Sequence, residues 1–260
     1  MHQAFQFTSS GNNYRAKHLN LFVHGYLSAS DEHDRSRLLR CVPALPDDED
    51  AVFAFWDSGS MREVWVKVLQ GAAGSFGLSK LGLARGVAVA AFGGYRHYSG
   101  KKSQTRNLAL ALLPELQAYA RQHYPDLQSI SLYGHSLGAR LLIEALLAGT
   151  PVNSLPIRDL VFMGGARALS LGELEQILPQ IQERICNFYS RADRVLMVRP
   201  STGKYIGRHP LPEPVFPALV QILNRDLDIG HTDYWHVLYS IMQQVRGRDV
   251  TPSKPGGDEQ

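Results

Sequence analysis

The five residues Gly134-His135-Ser136-Leu137-Gly138 constrain this chain more than any other stretch. They follow Ser129-Ile-Ser-Leu-Tyr133, a short apolar run that reads as a buried strand. They precede Ala139–Leu147, which reads as a helix apolar around most of its circumference. A tight turn between strand and helix crowds the backbone, so the positions flanking the serine must be small, and glycine has no Cβ. The serine is then held at the carboxyl end of the strand, and the helix N-terminus points its free N–H groups toward developing negative charge. In that context G-x-S-x-G reads as a nucleophile elbow. The plain alternative is a strand–helix turn that happens to carry a serine.

The rest of the chain supplies strands and helices in alternation. Residues 2–8 read as a short edge strand, Asn20–Val23 as a central strand, and Ala51–Trp56 as the next. A helix is expected within Ser30–Val42, capped at Ser30 or Asp31, and another over 103–124 with Leu110, Leu113, Leu116, Ala120 and Tyr124 on one face. Beyond the elbow, Asp159–Met163 and Arg184–Tyr189 read as strands and Leu171–Ile181 as a helix. Ala218–Leu223 fits a short strand or a helix. A last helix follows, with Thr232 as N-cap and Tyr234, Leu238, Ile241, Met242 and Val245 on one face. Such alternation predicts an α/β fold: a mainly parallel central sheet with helices on both faces. One domain is expected over 1–245, and the charged, Pro/Gly-rich tail 246–260 has a disordered composition.

Residues 62–99 differ from their surroundings. They are rich in Gly and Ala, dotted with Arg62, Lys67, Lys80, Arg85 and Arg96, and carry no acid after Glu63. They fit a tightly packed helical crossover equally with a cap or interfacial insertion bearing Trp65, Phe76, Leu78, Leu81 and Leu83 as apolar anchors.

Composition excludes several classes. The 260 residues are 44% hydrophobic with a formal charge of +3, so a sizeable core is available and the basic residues are scattered. No Lys/Arg run, RNA-binding aromatic signature or zinc spacing is present, which argues against nucleic acid. Cys41 and Cys186 read as buried, reduced thiols. The N-terminus lacks the charged and apolar regions of a signal peptide. No stretch reaches the roughly 18 apolar residues of a membrane span. A cytoplasmic protein is expected, or one exported without a signal peptide. No H-E-x-x-H, C-x-x-C, phosphate-binding loop or strand-linked G-x-G-x-x-G occurs, so no metal or cofactor is expected.

Taken together, His24-Gly25 after an early strand, Gly-His-Ser-Leu-Gly at the elbow, an aspartate after a late strand and a histidine before the last helix resemble the α/β-hydrolases. The resemblance covers residues 16 to 245. The runs Asn187–Leu196 and Gly230–Tyr234 resemble a narrower lipase-like group, related to a eukaryotic transmembrane and coiled-coil domain protein.

The resemblance implies a serine hydrolase with Ser136 as nucleophile, because the chain order Ser, Asp, His is the one that fold uses. A serine needs a base within hydrogen-bond reach, and the base needs an orienting acid. His231, in a loop beside a helix start, is the expected base; His236 reads as a surface residue, and His135 is expected to face away. Asp193, just past the strand that precedes the histidine segment, is the expected acid. The fold's other acid position holds Gly164-Gly165-Ala166, and Asp57, Asp226 and Asp228 remain competitors. The oxyanion hole implies two N–H donors, Leu137 after the nucleophile and Tyr26 from the His24-Gly25-Tyr26 loop. Lipid esters are the expected substrates, as for a lipase or phospholipase, with small esters or thioesters as the alternative. A non-catalytic binding module that kept the fold is a third. Contact with an anionic membrane fits the cationic stretch, and delivery as a toxin would bring an inhibitor protein as partner.

Overall fold

Strand β2 (His18–Val23) is buried at every position, and β3 (Glu49–Phe55), β4 (Ser129–His135) and β5 (Ile157–Met163) at all but one. Strands buried so completely belong to a parallel sheet covered on both faces, which is why they read as apolar runs without alternation. The computed structural model describes residues 3–25, 31–58, 80–149, 155–197, 204–214 and 219–248, with 80–99, 101 and 102 described by their backbone alone.

Among the described residues, seven strands form one sheet in the order β1-β3-β2-β4-β5-β6-β7. The remaining strands are β1 (Gln6–Ser9), β6 (Ile181–Tyr189) and β7 (Gln221–Asp226). β1 pairs antiparallel with β3 at the edge, and every other pairing is parallel. Among the described residues the α-helices are α1 (Glu32–Arg40), α2 (Lys80–His123), α3 (Leu137–Leu147), α4 (Leu171–Ile177), α5 (Arg194–Met197) and α6 (Leu238–Val245).

Successive strand residues enter opposite layers, as the pleat requires. Leu132 and Phe162 join a cluster with Leu112, Leu116, Leu141 and Leu174 from α2, α3 and α4. Tyr133 and Val161 join another with Leu38 of α1 and Leu238, Ile241 and Val245 of α6. The chain has the α/β architecture that its sequence implies, a mainly parallel sheet covered on both faces.

Several expectations are corrected. The helix expected from 103 begins at Lys80 and runs 44 residues, so 80–99 are helical; residues 59–79 lie outside the described residues. Leu110 is 60% exposed, and the buried face runs through Ala109, Leu112, Leu113, Leu116 and Ala120, which is the better helical spacing. Ala218–Leu223 resolves into β7, starting at Gln221. Thr232 caps nothing with its side chain: a 3-10 turn over Asp233–Trp235 intervenes, and α6 starts at Leu238. Both cysteines are free thiols; Cys186 is buried but Cys41 only half-buried.

A network of charged side chains fixes α3. The Arg140 guanidinium bonds Glu144 at 3.1 Å and the Thr105 hydroxyl of α2 at 3.2 Å. Arg167, in the loop after β5, reaches Glu144 at 3.2 Å and Glu173 of α4 at 2.7 Å. The paired Arg167 guanidinium holds the Glu173 carboxyl down at about 2. Partly buried pairs of this kind are better ordered than exposed ones.

Candidate active site

Strand β4 delivers the chain to Ser136, and α3 leads it away. Ser136 itself adopts φ 54° and ψ −115°, a region that a non-glycine residue occupies at a cost of roughly 1–3 kcal/mol. Its neighbours enforce that geometry. The Ser136 N–H donates to the Met163 carbonyl at 3.0 Å, and its own carbonyl accepts from Ala166 N–H at 3.0 Å. Close approach explains the glycines: a Cβ on Gly138 would stand 2.0 Å from the Val23 carbonyl oxygen, and one on Gly25 would stand 2.7 Å from the Ser136 Cβ. The loop after β2 is thereby packed directly against the turn.

Three sequence-selected side chains converge here from distant elements. His231 Nε2 lies 2.8 Å from Ser136 Oγ, and His231 Nδ1 lies 2.6 Å from Asp193 Oδ2. A carboxylate only accepts, so Nδ1 carries the proton and Nε2 is left to accept from the serine hydroxyl. Asp193 follows β6 and is fully buried. Its second oxygen accepts from the Leu196 N–H at 2.9 Å. Burial alone would raise the Asp193 carboxyl, but the hydrogen bond and charge of His231, with the Leu196 and Val195 amides, hold it below the usual carboxylate range. The arrangement can withdraw a proton from Ser136 Oγ and stabilise the resulting imidazolium.

The other candidates fall elsewhere. Asp57, Asp226 and Asp228 are exposed, and Asp226 pairs with Arg191 at 3.3 Å. His236 is exposed, as expected. Leu137 opens α3, where first-turn N–H groups have no intrahelical acceptor. Tyr26 lies outside the described residues; the loop is described as far as Gly25.

Some participants were not foreseen. His135, expected to face away, instead places Nε2 at 2.8 Å from the His231 carbonyl oxygen. Ser190 pins the histidine loop to the end of β6, donating to the Ile229 carbonyl at 2.7 Å and accepting from its N–H at 3.1 Å. Asp233 accepts from the Gly230 N–H at 2.9 Å. His24 and Trp56 brace the loop after β2: Trp56 N–H donates to His24 Nε2 at 3.3 Å, and Trp56 Nε1–H to the His24 carbonyl at 3.1 Å. Burial pushes the His24 imidazole down to about 4, so it stays neutral with its proton on Nδ1, bonded to the Gly25 carbonyl at 2.9 Å. Only the Ser-x-x-Asp spacing near 190 and the His-Gly pair marked any of these in sequence.

Among the described residues, no group of three or more His, Cys, Asp or Glu side chains could hold a metal ion. No described helix is long and apolar enough to cross a membrane.

No family model matches the chain, and no curated protein matches it in sequence. Solved structures are similar to it over most of its length. Esterase PE8 is 15% identical, with 93% of this chain and 98% of that chain covered and a TM-score of 0.43. The dienelactone hydrolase-like promiscuous phosphotriesterase P91 from metagenomic libraries is 14% identical, over 88% and 84%, with a TM-score of 0.42. A lipase-esterase related protein from Clostridium acetobutylicum is 11% identical, over 94% and 99%, also with a TM-score of 0.42.

Proposed function

We propose that the chain is a serine hydrolase cleaving carboxylic esters through an acyl-enzyme, with lipid esters as its substrates. The observation that carries this reading is the continuous hydrogen-bonded path from Ser136 Oγ through His231 to the buried Asp193 carboxylate, 2.8 and 2.6 Å in its two steps.

In the reaction, Ser136 Oγ attacks the ester carbonyl carbon as its proton passes to His231 Nε2. The carbonyl oxygen becomes an oxyanion, facing the Leu137 N–H and a second donor in the loop after Gly25, for which Tyr26 is the candidate. The imidazolium then gives its proton to the leaving alkoxide as the C–O bond breaks, leaving Ser136 acylated. Water then attacks the acyl carbonyl carbon as His231 Nε2 takes its proton, the bond from that carbon to Ser136 Oγ breaks, His231 returns the proton to Oγ, and the acid is released. Asp193 stays ionised throughout and holds His231 in the tautomer that can accept the proton.

The lipid preference rests on the sequence resemblance to a lipase-like group and on the apolar, cationic stretch 62–99. The same stretch supports peripheral contact with anionic membranes, and delivery into a neighbouring cell would bring a dedicated inhibitor protein as partner. Incubation with mixed phospholipid and triacylglycerol vesicles, beside a soluble short-chain ester, tests the substrate class. Release of long-chain acids is the expected result. Turnover of the soluble ester alone selects the small-ester or thioester reading, and no turnover of either selects a binding module.

A further inference from the structure

The chemistry above leaves His135 unused, although it occupies the variable position beside the candidate nucleophile. Its ring is fully buried in an aromatic surround, with His231 at 5.1 Å, Tyr234 at 5.7 Å and Trp235 edge-on at 5.5 Å between centroids. Nε2 stands 2.8 Å from the His231 backbone oxygen. A carbonyl only accepts, so this nitrogen must carry the proton. Nδ1 is buried without a hydrogen-bond partner among the described residues. The ionisable groups acting on the ring are His231, Asp193 and His24; burial first, then the His231 ring, push its pKa down to about 3. The neutral Nε2–H form is therefore fixed.

The acceptor is the backbone of the residue whose side chain meets Ser136 and Asp193. Ser190 ties the same loop at Ile229 and Asp233 ties it at Gly230, but His135 alone among these bonds His231 itself. Because His135 and Ser136 are consecutive, one dipeptide carries the nucleophile and the anchor of its base. A shift of the histidine loop is thereby transmitted to the same backbone that carries Ser136 Oγ.

We propose that His135 is a positioning residue whose Nε2–H fixes the His231 backbone and, through it, the separation of His231 Nε2 from Ser136 Oγ. The proposal rests on the reading of Ser136, His231 and Asp193 as a triad. Its neutrality matters as well: a second cation 5.1 Å away would oppose the imidazolium that forms on His231 during acylation.

The test compares His135→Leu, which removes the donor from an apolar surround, with His135→Gln, whose amide nitrogen reaches near the Nε2 position. On a soluble short-chain ester, His135→Leu is expected to lower kcat by about 100-fold with KM little changed, as for a misplacement near 1 Å. His135→Gln should recover most of that loss. Proton NMR supplies a reading that needs no turnover: the far-downfield His231–Asp193 hydrogen-bond resonance should persist in wild type and His135→Gln and broaden or vanish in His135→Leu. If His135→Leu fails to fold by circular dichroism, His135→Phe, suited to the aromatic surround, takes its place. Equal losses in the donor-free and Gln variants, or full activity without the donor, overturn the proposal. Wild type that is inert to esters but shows the NMR pattern sinks the hydrolase reading and leaves the positioning role standing.

Discussion

Trp56 and His24 grip each other at two points, the Trp56 N–H on His24 Nε2 and the Trp56 Nε1–H on the His24 carbonyl, with their rings stacked 5.7 Å apart. The pair fixes the end of β2 next to Ser136, so the loop that begins at Gly25 starts from a defined point. Trp56→Phe deletes one donor and leaves the buried His24 carbonyl short of a partner, at a cost of about 1–3 kcal/mol. Urea unfolding should register that loss, and kcat on a soluble ester should fall with it. Unchanged values in both would remove Trp56 from the site's support.

The elbow's crowding gives a sharper case. A Cβ on Gly138 would meet the Val23 carbonyl at 2.0 Å, and backbone cannot swing aside as a side chain can. Gly138→Ala should therefore separate β2 from α3 and destabilise the protein by about 3 kcal/mol or more. A shift in the urea midpoint measures it. Gly172→Ala, where the added methyl meets nothing within 4 Å, serves as the control.

Of Asp57, Asp193 and Asp228, Asp193 is the one that should matter for turnover. Asp193→Asn, with its amide oxygen kept on the Leu196 N–H, turns a donor toward His231 Nδ1 and holds the imidazole in the wrong tautomer, at a cost on the order of 10³–10⁴ in kcat. Asp228 sits exposed at φ 50°, a conformation that asparagine tolerates well. Asp228→Asn and Asp57→Asn should stay near wild type in steady-state assays. A dead Asp228→Asn with an active Asp193→Asn would reassign the acid.

Stability should fall on mild acidification, because several histidines are buried in the neutral form. Burial pushes His18 and His135 down to about 3 and His24 to about 4. Each folded value lies below the unfolded one, so the stability each contributes is complete above the unfolded value near pH 6.5 and is lost as pH falls toward the folded value. Within that window each group costs up to about 1.4 kcal/mol per pH unit. The carboxyls of Asp193 and Glu173, also lowered, act in the same direction but only below the ordinary carboxylate range. Urea midpoints measured from pH 7 to pH 4.5 should drop steadily, and His18→Gln should flatten the slope. A flat profile would contradict the buried neutral histidines.

Much of this was legible in sequence because it follows from local pattern. The buried strands announced themselves as apolar runs, and Ser136, Asp193 and His231 each sit in a short segment with its own signature. Long-range geometry was not legible. Nothing in the order of residues says that the ring of His135 turns toward the loop of His231, since the contact spans 96 positions and depends on how β4 and the 3-10 turn pack. The start of α2 was hidden by Gly82, Gly86, Gly93, Gly94 and Gly100, which weaken helix propensity at each step while the helix continues through them. Thr232 looked like a cap because its type suits one, yet Asp233 takes the nearby N–H of Gly230.

The proposed lipid preference makes its own prediction. Replacing Lys67, Lys80 and Arg85 by Gln removes charges that should each contribute about 1 kcal/mol to attraction by an anionic surface. Binding to anionic vesicles and hydrolysis of their lipids should fall, and hydrolysis of a soluble ester should hold. If both activities fall together, the stretch serves the fold and not a lipid surface.

The proposed reaction needs Ser136 to be a nucleophile made reactive by His231 and Asp193. Labelling with a fluorophosphonate probe, read by mass spectrometry of the modified peptide, tests it most directly. A single adduct on Ser136 is expected in wild type, none in a folded Ser136→Ala variant, and strongly slowed labelling in Asp193→Asn. Labelling of Ser136→Ala equal to that of wild type, or a folded wild type that takes up no probe, would contradict it.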